Sequence, residues 1–183
     1  MKQLLSMLLF KLFSWKVIGS SSFPKRCLIV GAPHTSNWDF FIGMCYAYII
    51  ALDPKFLIKS ELFLPLLGAL LRFNGGIPVF RNSNHNVVDQ VTEMFKNSSK
   101  LHLVITPEGT RSYVDKWKTG FYHIAINAKI PILLLKMDYE NKEIGVINEF
   151  VPTGNFINDM NFIEGQYKKI NGKIPEYYNT DIL

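Results

Sequence analysis

The sequence predicts one α/β domain built on a largely parallel, mixed sheet that is flanked by helices. Its 183 residues are enough for a single domain with a proper core. Short apolar runs alternate along the chain with segments of helical period, and turns rich in glycine and proline separate them. This alternation is typical of strands that are connected through helices and therefore run parallel.

The first 19 residues are predicted to form an amphipathic helix, followed by the main domain at 20–183. As a helix, this segment places an apolar stripe between lysines: Leu4, Leu5, Leu8, Leu12 and Trp15. A basic helix that carries Trp and Phe suits the membrane interface, so we expect peripheral contact through residues 1–18. The segment is too short and too charged to span a membrane, and it lacks a signal-peptide cleavage site. Packing of the helix on its own domain is the alternative.

The main domain begins with a run of apolar residues at 26–31, which predicts a buried strand, and a polar loop follows at 33–37. An apolar helix at 40–52 ends at Asp53-Pro54, because proline cannot continue it. A short strand at 56–58 comes next.

A second apolar helix is predicted at 61–73, ending at the turn Asn74-Gly75-Gly76. An extended segment at 77–80 leads to a helix at 87–95 that is apolar on one face. The second half of the chain predicts strands at 101–106, 131–137 and 144–147 and helices at 121–128 and 162–170.

The chain is basic and rich in aromatic residues, with a net charge of +5, a pI of about 9.1 and 14% Phe, Trp and Tyr. This balance suits an anionic membrane surface, a phosphorylated substrate or an acidic carrier, although solubility alone also explains it. Nucleic acid is not expected as a partner, because there is no dense Lys/Arg run and no recognised nucleic-acid motif.

Metal chemistry is not expected either. His85, His102 and His123 are scattered and form no ligand motif. Cys27 and Cys45 also lack the spacing of metal ligands, so we expect buried free thiols in a reducing compartment.

The segment after the first predicted strand of the main domain carries His34 and Asp39, which are separated by four residues. Imidazole is well suited to accept a proton near neutral pH. A carboxylate bonded to one ring nitrogen fixes the tautomer and stabilises the imidazolium. By itself this short motif is weak, because an ordinary loop histidine explains it as well.

A second candidate segment is 107–112, which directly follows a predicted buried strand. Loops at the carboxyl ends of parallel strands are where α/β domains place their sites. Gly109 allows a close backbone approach, Thr110 offers a hydroxyl, and Arg111 has the fork geometry that binds phosphate. Glu108 is expected to hold that arginine or to bind a substrate hydroxyl. An ordinary turn with a surface ion pair is the alternative.

The third segment is 75–81, in which two glycines and a proline precede Arg81. Arg81 is a candidate second phosphate ligand, and its alternative is a surface arginine beside a turn.

Together the three segments resemble the glycerolipid acyltransferase family, whose best-known members are the 1-acylglycerol-3-phosphate (lysophosphatidate) acyltransferases. In the family's order, the matching blocks are 34–39, 75–81, 107–112 and 130–132, and 117–120 matches a common extension of the third. The resemblance covers roughly residues 25–140. The chain departs from the family at Phe80, where an acidic or polar residue is common, and at Thr106, where Phe is common.

The resemblance implies a fold like that of glycerol-3-phosphate acyltransferase and a role in phospholipid biosynthesis. The implied reaction moves a fatty acyl group from a thioester, on coenzyme A or acyl carrier protein, to the free hydroxyl of a lysophospholipid. His34 would be the general base and Asp39 would orient it. No cofactor or metal is implied, and the enzyme would lie peripherally on the cytoplasmic face of the cell membrane.

The acceptor is expected to be 1-acylglycerol-3-phosphate, with its phosphate between Arg81 and Arg111. Three further residues would shape that pocket, namely Glu108, Gly109 and Thr110. The N–H of Gly109 is a candidate oxyanion donor. The helices at 40–52 and 61–73 are candidates for contact with the acyl chain, although core packing explains them as well.

Three other interpretations stay open from the sequence. In the first, the acceptor is another lysolipid, such as lyso-ornithine lipid. In the second, the chain is a non-catalytic lipid- or phosphate-binding domain on the same fold. A hydrolase that uses His34 and Asp39 is the third, but the chain has no Gly-x-Ser-x-Gly elbow to supply its serine.

Overall fold

One sheet runs through the described part of the chain, which is residues 1–80 and 86–182 of the computed structural model. Its strands are, in chain order, β1 Lys16–Gly19, β2 Arg26–Ala32, β3 Pro54–Lys59, β4 Gly76–Val79, β5 Leu101–Ile105, β6 Ile132–Asp138 and β7 Glu143–Phe150. They lie in the spatial order β1-β7-β6-β2-β5-β3-β4. Within this sheet only β6 and β7 pair antiparallel, so the predicted mixed, largely parallel sheet is confirmed.

Helices cover both faces of the sheet. They are α1 Lys2–Leu12, α2 Trp38–Ile49, α3 Pro65–Phe73, α4 Val87–Lys96, α5 Gly120–Ala128 and α6 Phe156–Tyr167. Buried residues of α4, α5 and α6 share one core with the sheet, whereas those of α1 and α2 share another core with its opposite face. We call the first the closed face and the second the cavity face.

Strand β2 lies at the centre of both cores. Leu28 and Val30 point into the closed face, and Cys27 and Ile29 point into the cavity face. This alternation follows from the period of two in a strand. Because both sides are buried, the strand reads in sequence as a continuous apolar run.

The N-terminal segment differs from the predicted single helix of 1–19. Helix α1 ends at Leu12, Ser14 adopts a left-handed conformation at φ 60°, and Lys16–Gly19 forms β1. Strand β1 pairs in parallel with β7, and the N–H of Lys16 donates to Lys142 O at 2.8 Å. The sequence did not reveal this strand, because four residues are too few for a periodicity and the pairing partner lies far along the chain.

The remaining element boundaries agree closely with the sequence, apart from two helices. Helix α6 begins at Phe156 rather than 162, since the side chain of Asn155 caps it by accepting from Asn158 N–H. The helix predicted at 61–73 is a short 3₁₀ turn, Ser60–Leu62, followed by α3 with Pro65 in its first turn. No helix in the described residues is long and apolar enough to cross a membrane.

The loops that carry the candidate residues gather at one end of the strands, which we call this edge of the sheet. Strands β2 to β6 all run in the same direction, so the segments that follow β2, β5 and β6 meet at their carboxyl ends. This edge is where open α/β sheets bind ligands.

Candidate active site

His34 and Asp39 form a hydrogen-bonded pair at this edge. His34 lies in the loop after β2, and Asp39 lies in the first turn of α2. His34 Nδ1 is 3.1 Å from Asp39 Oδ2. The backbone N–H groups of Thr35 and Ser36 also donate to Oδ2, each at 2.8 Å. The loop is therefore folded around the carboxylate, which explains why the two residues need this spacing.

The hydrogen bonds determine the protonation of the pair. The Asp39 carboxyl is buried, which disfavours its charge, but hydrogen bonds from His34, Tyr139 and Ser36 outweigh burial and lower its pKa. An ionised carboxylate only accepts hydrogen bonds, so His34 Nδ1 must carry the proton. The other ring nitrogen, Nε2, is then free to accept a proton.

Glu108 is placed differently from the expectation that it shapes a phosphate pocket. Its side chain is only 2% exposed, and Oε1 accepts from the backbone N–H of His34 at 3.0 Å. Burial raises the pKa of Glu108 to about 7, although backbone N–H groups oppose this. No ion pair joins Glu108 to Arg111 within the described residues. Glu108 therefore stabilises the His34 loop from the buried side, through the backbone N–H of His34.

The glycine of the same segment also differs from the expectation. Gly109 has φ +66°, the left-handed conformation that favours glycine, and its N–H donates to Thr106 O at 3.0 Å. Since that N–H closes a turn, it is not available as an oxyanion donor. Gly109 and Arg111 both line the cavity beside His34, whereas Thr110 is exposed and its Oγ1 accepts from Ser112 N–H.

Arg81, the second predicted phosphate ligand, lies outside the described residues, as does His85. The prediction that two arginines flank the phosphate therefore stays a prediction for Arg81. For Arg111 the expected neighbourhood with His34 and Asp39 is present.

A largely apolar cavity of about 510 Å³ opens beside His34. It extends beneath α2 along the cavity face of the sheet. Its apolar lining includes Ile29, Phe40, Tyr46, Ala47 and Met137. The lining contains residues of α2 but none of α3, in which only Gly68 is buried. Within the described residues α3 contributes to neither core, and contact of the helix at 61–73 with an acyl chain stays a prediction.

Tyr139 is a member of the site that sequence reasoning missed. It follows β6, and its hydroxyl donates to Asp39 Oδ1 at 2.6 Å. The two residues are 100 positions apart, and Tyr139 belongs to none of the segments singled out above. The only available signal was its place directly after a predicted strand.

Two of the other histidines and both cysteines belong to the described residues. His102 Nε2 is 3.0 Å from Pro24 O in a packed position, and the ring of His123 stacks on Phe156. Cys27 and Cys45 are buried and free. No cluster of possible metal ligands is found in the part of the chain that the structure describes.

Comparison with known proteins finds related acyltransferases. The chain is 33% identical over 110 residues to the 1-acyl-sn-glycerol-3-phosphate acyltransferase of Escherichia coli (strain K12), a match covering 56% of this chain and 43% of that protein. It is 32% identical over 123 residues to the lysophospholipid acyltransferase LPCAT4 of Homo sapiens, covering 62% of this chain and 22% of that protein. The matches therefore span less than half the length of these two relatives.

The fold is also found in a solved structure. The crystal structure of the 1-acyl-sn-glycerophosphate (LPA) acyltransferase, PlsC, from Thermotoga maritima superposes with a TM-score of 0.61 over 90% of this chain and 74% of that chain. The sequence identity is 19%, so this likeness concerns the fold alone.

The Acyltransferase family model matches residues 14–136, which is more than half of the 183-residue chain and includes both His34 and Arg111. The chain belongs to the Acyltransferase family.

Proposed function

We propose that the protein transfers a fatty acyl group from an acyl thioester to the free hydroxyl of a lysophospholipid. The observation that carries this proposal is the hydrogen-bonded His34–Asp39 pair at an apolar cavity that Arg111 also lines. The favoured acceptor is 1-acylglycerol-3-phosphate, on which the Escherichia coli relative is named as acting. The donor is acyl-CoA or acyl carrier protein, and no further cofactor is needed.

His34 acts as the general base in this mechanism. Nε2 removes the proton of the acceptor hydroxyl while the oxygen attacks the thioester carbonyl carbon. The carbon–sulfur bond then breaks, and the imidazolium returns its proton to the leaving thiolate. A thioester is already activated, so the enzyme needs no nucleophile of its own. A positioned base contributes about 10²–10⁴ in rate, and Asp39 stabilises the imidazolium that forms.

The acceptor phosphate binds at Arg111, on the rim of the same cavity. A guanidinium offers two parallel donors to phosphate oxygens, which holds the acceptor hydroxyl in line with the thioester carbon. The apolar cavity beneath α2 receives the acyl chain. His34 lines this cavity, so the carbonyl carbon of a bound acyl chain would lie next to the base.

The test is a donor-by-acceptor matrix with purified protein, read by mass spectrometry. His34→Ala is expected to lower turnover by about 10²–10⁴, because the base is lost. His123→Ala is the matched control, since His123 is exposed on α5 and does not line the cavity. Full turnover by folded His34→Ala would contradict the proposal, as would release of free fatty acid without any acceptor.

A second arm tests Arg111. Arg111→Ala is expected to raise KM for phosphate-bearing acceptors by about 10-fold or more while changing a neutral monoacylglycerol little. Lys116→Ala removes an exposed cation nearby that does not line the cavity, so it serves as the control. Equal KM changes in the two variants would remove Arg111 from phosphate binding.

We also propose peripheral binding to the cytoplasmic face of the cell membrane through residues 1–18. Helix α1 packs on α2 through Phe10 yet exposes its leucines, among them Leu4 at 64% and Leu12 at 74%. Lysines flank this apolar surface, and the anionic lipids of the cytoplasmic leaflet attract such segments.

Helix α3 extends the apolar surface of α1. Leu66 is 90% exposed and Phe73 is 77% exposed, and Lys2 Nζ lies 5.1 Å from the ring centroid of Phe73. The start of α1 and the end of α3 therefore meet. Vesicle flotation of Leu4→Gln/Leu8→Gln is expected to lose binding to anionic vesicles. Unchanged flotation would contradict the proposed membrane contact.

A further inference from the structure

The hydroxyl of Tyr139 is the only partner that the described residues supply to one oxygen of the Asp39 carboxylate. Oδ2 accepts from His34 Nδ1, Thr35 N–H and Ser36 N–H. Oδ1 accepts from Tyr139 at 2.6 Å. Because the Asp39 side chain is 3% exposed, an unbonded Oδ1 would be a costly buried acceptor.

Tyr139 is itself held by two contacts, one through its backbone and one through its ring. Its backbone N–H donates to Asn171 O at 3.0 Å, and the edge of its ring meets Trp15 at a centroid distance of 5.1 Å. Trp15 belongs to the link between α1 and β1. The hydroxyl is thereby fixed by segments from the two ends of the chain, rather than by the loop that carries His34 and Asp39.

The hydrogen bond from Tyr139 to Asp39 does more than pack the site. A phenol that donates to a carboxylate shares its negative charge and restricts rotation of the carboxyl group. The two carboxylate oxygens are equivalent, so the plane of the carboxyl group decides whether an oxygen lies between the His34 ring and the two backbone N–H groups. A partner on the opposite oxygen therefore selects the orientation in which Nδ1 of His34 is bound.

We propose that Tyr139 is a positioning residue for the His34–Asp39 pair, fixing the Asp39 carboxylate so that it holds His34 in the tautomer and orientation of a base. The inference rests on the proposed function insofar as His34 is that base. It adds a residue from the β6–β7 connection, which none of the four sequence blocks contains.

Several charged or titratable groups face the His34–Asp39 pair and contribute to its electrostatic surroundings. Glu108 approaches His34 from the loop after β5, and Arg111 lines the cavity on the same side. Lys173 Nζ lies 5.9 Å from the ring centroid of Tyr139. Tyr139→Phe leaves all three groups in place, so a change at the His34 ring reports on the lost hydroxyl.

The test compares Tyr139→Phe with Tyr122→Phe. Tyr122 is a matched control, because its hydroxyl donates to the buried carboxylate of Asp159 at 2.8 Å, on the closed face and outside the site. Each substitution removes one tyrosine–carboxylate hydrogen bond. Thermal unfolding of both variants checks that the fold is retained.

Tyr139→Phe is expected to lower kcat about 10-fold with KM for the acceptor within about twofold. The Asp39 carboxylate, released from one donor, rotates more freely, so its hydrogen bond to His34 Nδ1 is weakened. The NMR signal of the proton on His34 Nδ1 in the free protein, which reports that hydrogen bond, is therefore expected to move upfield or to be lost by exchange with water. Tyr122→Phe is expected to change neither quantity.

The NMR signal separates this inference from the proposed function, because it needs no acyl transfer. In an Asp39→Asn background, Tyr139→Phe is expected to displace the His34 ring-proton signal much less, since the two residues act as one unit. An unchanged signal of the His34 Nδ1 proton in Tyr139→Phe would overturn the inference, whatever happens to kcat. Equal displacement in the Asp39→Asn background would overturn it as well.

Discussion

The two faces of the sheet are built from similar residues but packed differently. On the closed face, α4, α5 and α6 bury large side chains such as Phe121 and Tyr167 to about 1% exposure. On the cavity face, α2 stands over a space of about 510 Å³ and exposes Phe40 at 50%. We therefore expect stability to come mainly from the closed face, and the space on the cavity face is where the proposed acyl chain would bind.

The largest expected effect is on the closed face. Phe121→Ala is expected to lower the free energy of unfolding by about 3–5 kcal/mol, because it removes a fully buried ring and leaves a void. Phe40→Ala on the cavity face is expected to cost less than about 1 kcal/mol, since half of that ring is already in solvent. Urea unfolding of both variants measures the difference. Equal losses would show that the two faces contribute equally to stability.

The next effect concerns Glu108, which lies near Tyr167 and Tyr178 on the closed face. Burial raises the pKa of both tyrosines, and the charge of Glu108 adds to this effect. Burial holds the folded pKa of Glu108 at about 7, against an ordinary value of 4.5. Between these values the unfolded chain releases the proton while the folded chain keeps it. Stability is therefore full below about pH 4.5, falls as the pH rises, and has lost about 3 kcal/mol above pH 7.

Glu108→Gln is expected to flatten this decline, because an amide does not titrate. The check is urea unfolding of the wild type and the variant at several values between pH 4.5 and pH 7.5. If both proteins lost stability in parallel over that range, the decline would have to arise from other groups.

A smaller effect separates two buried alanines. Ala125 lies in the closed face and Ala47 lines the cavity. Ala125→Leu is expected to cost about 1–3 kcal/mol by overpacking, whereas Ala47→Leu is expected to cost less than about 1 kcal/mol because the cavity has room. Ala47→Leu should also shift acyl-donor use toward shorter chains. If the two substitutions lowered the free energy of unfolding equally, there would be no free space for a larger side chain beside Ala47.

The smallest effect on stability is expected at the surface of α3. Leu66→Gln/Leu70→Gln should change the free energy of unfolding by no more than about 0.5 kcal/mol, because both side chains are exposed. Binding to anionic vesicles should nevertheless weaken. Ile157→Gln, an exposed residue of α6 on the closed face, is the control. Equal flotation of the two variants would exclude α3 from the membrane contact.

Much of the fold was predictable because its signals are local. The apolar run of β2 and the helical period of α4 depend on neighbouring residues, and both elements lie where the sequence placed them. Strand β1 was not predictable, because its four residues become a strand only by pairing with β7, more than a hundred positions away. For helix α3 the sequence left core packing and acyl-chain contact both open, because its leucines look the same whether protein or lipid is to cover them, and most of them are exposed.

For the site, the sequence by itself determined which chemical groups are present. His34 and Asp39 lie close enough in the chain for one loop to join them, and the blocks around Gly109 and Arg111 pointed to phosphate chemistry. The tertiary structure decided what those groups can do. It turned Glu108 inward, engaged the N–H of Gly109 in a turn and brought Tyr139 to the far oxygen of Asp39. Those outcomes depend on burial and on contacts between distant strand ends, which the order of residues along the chain does not specify.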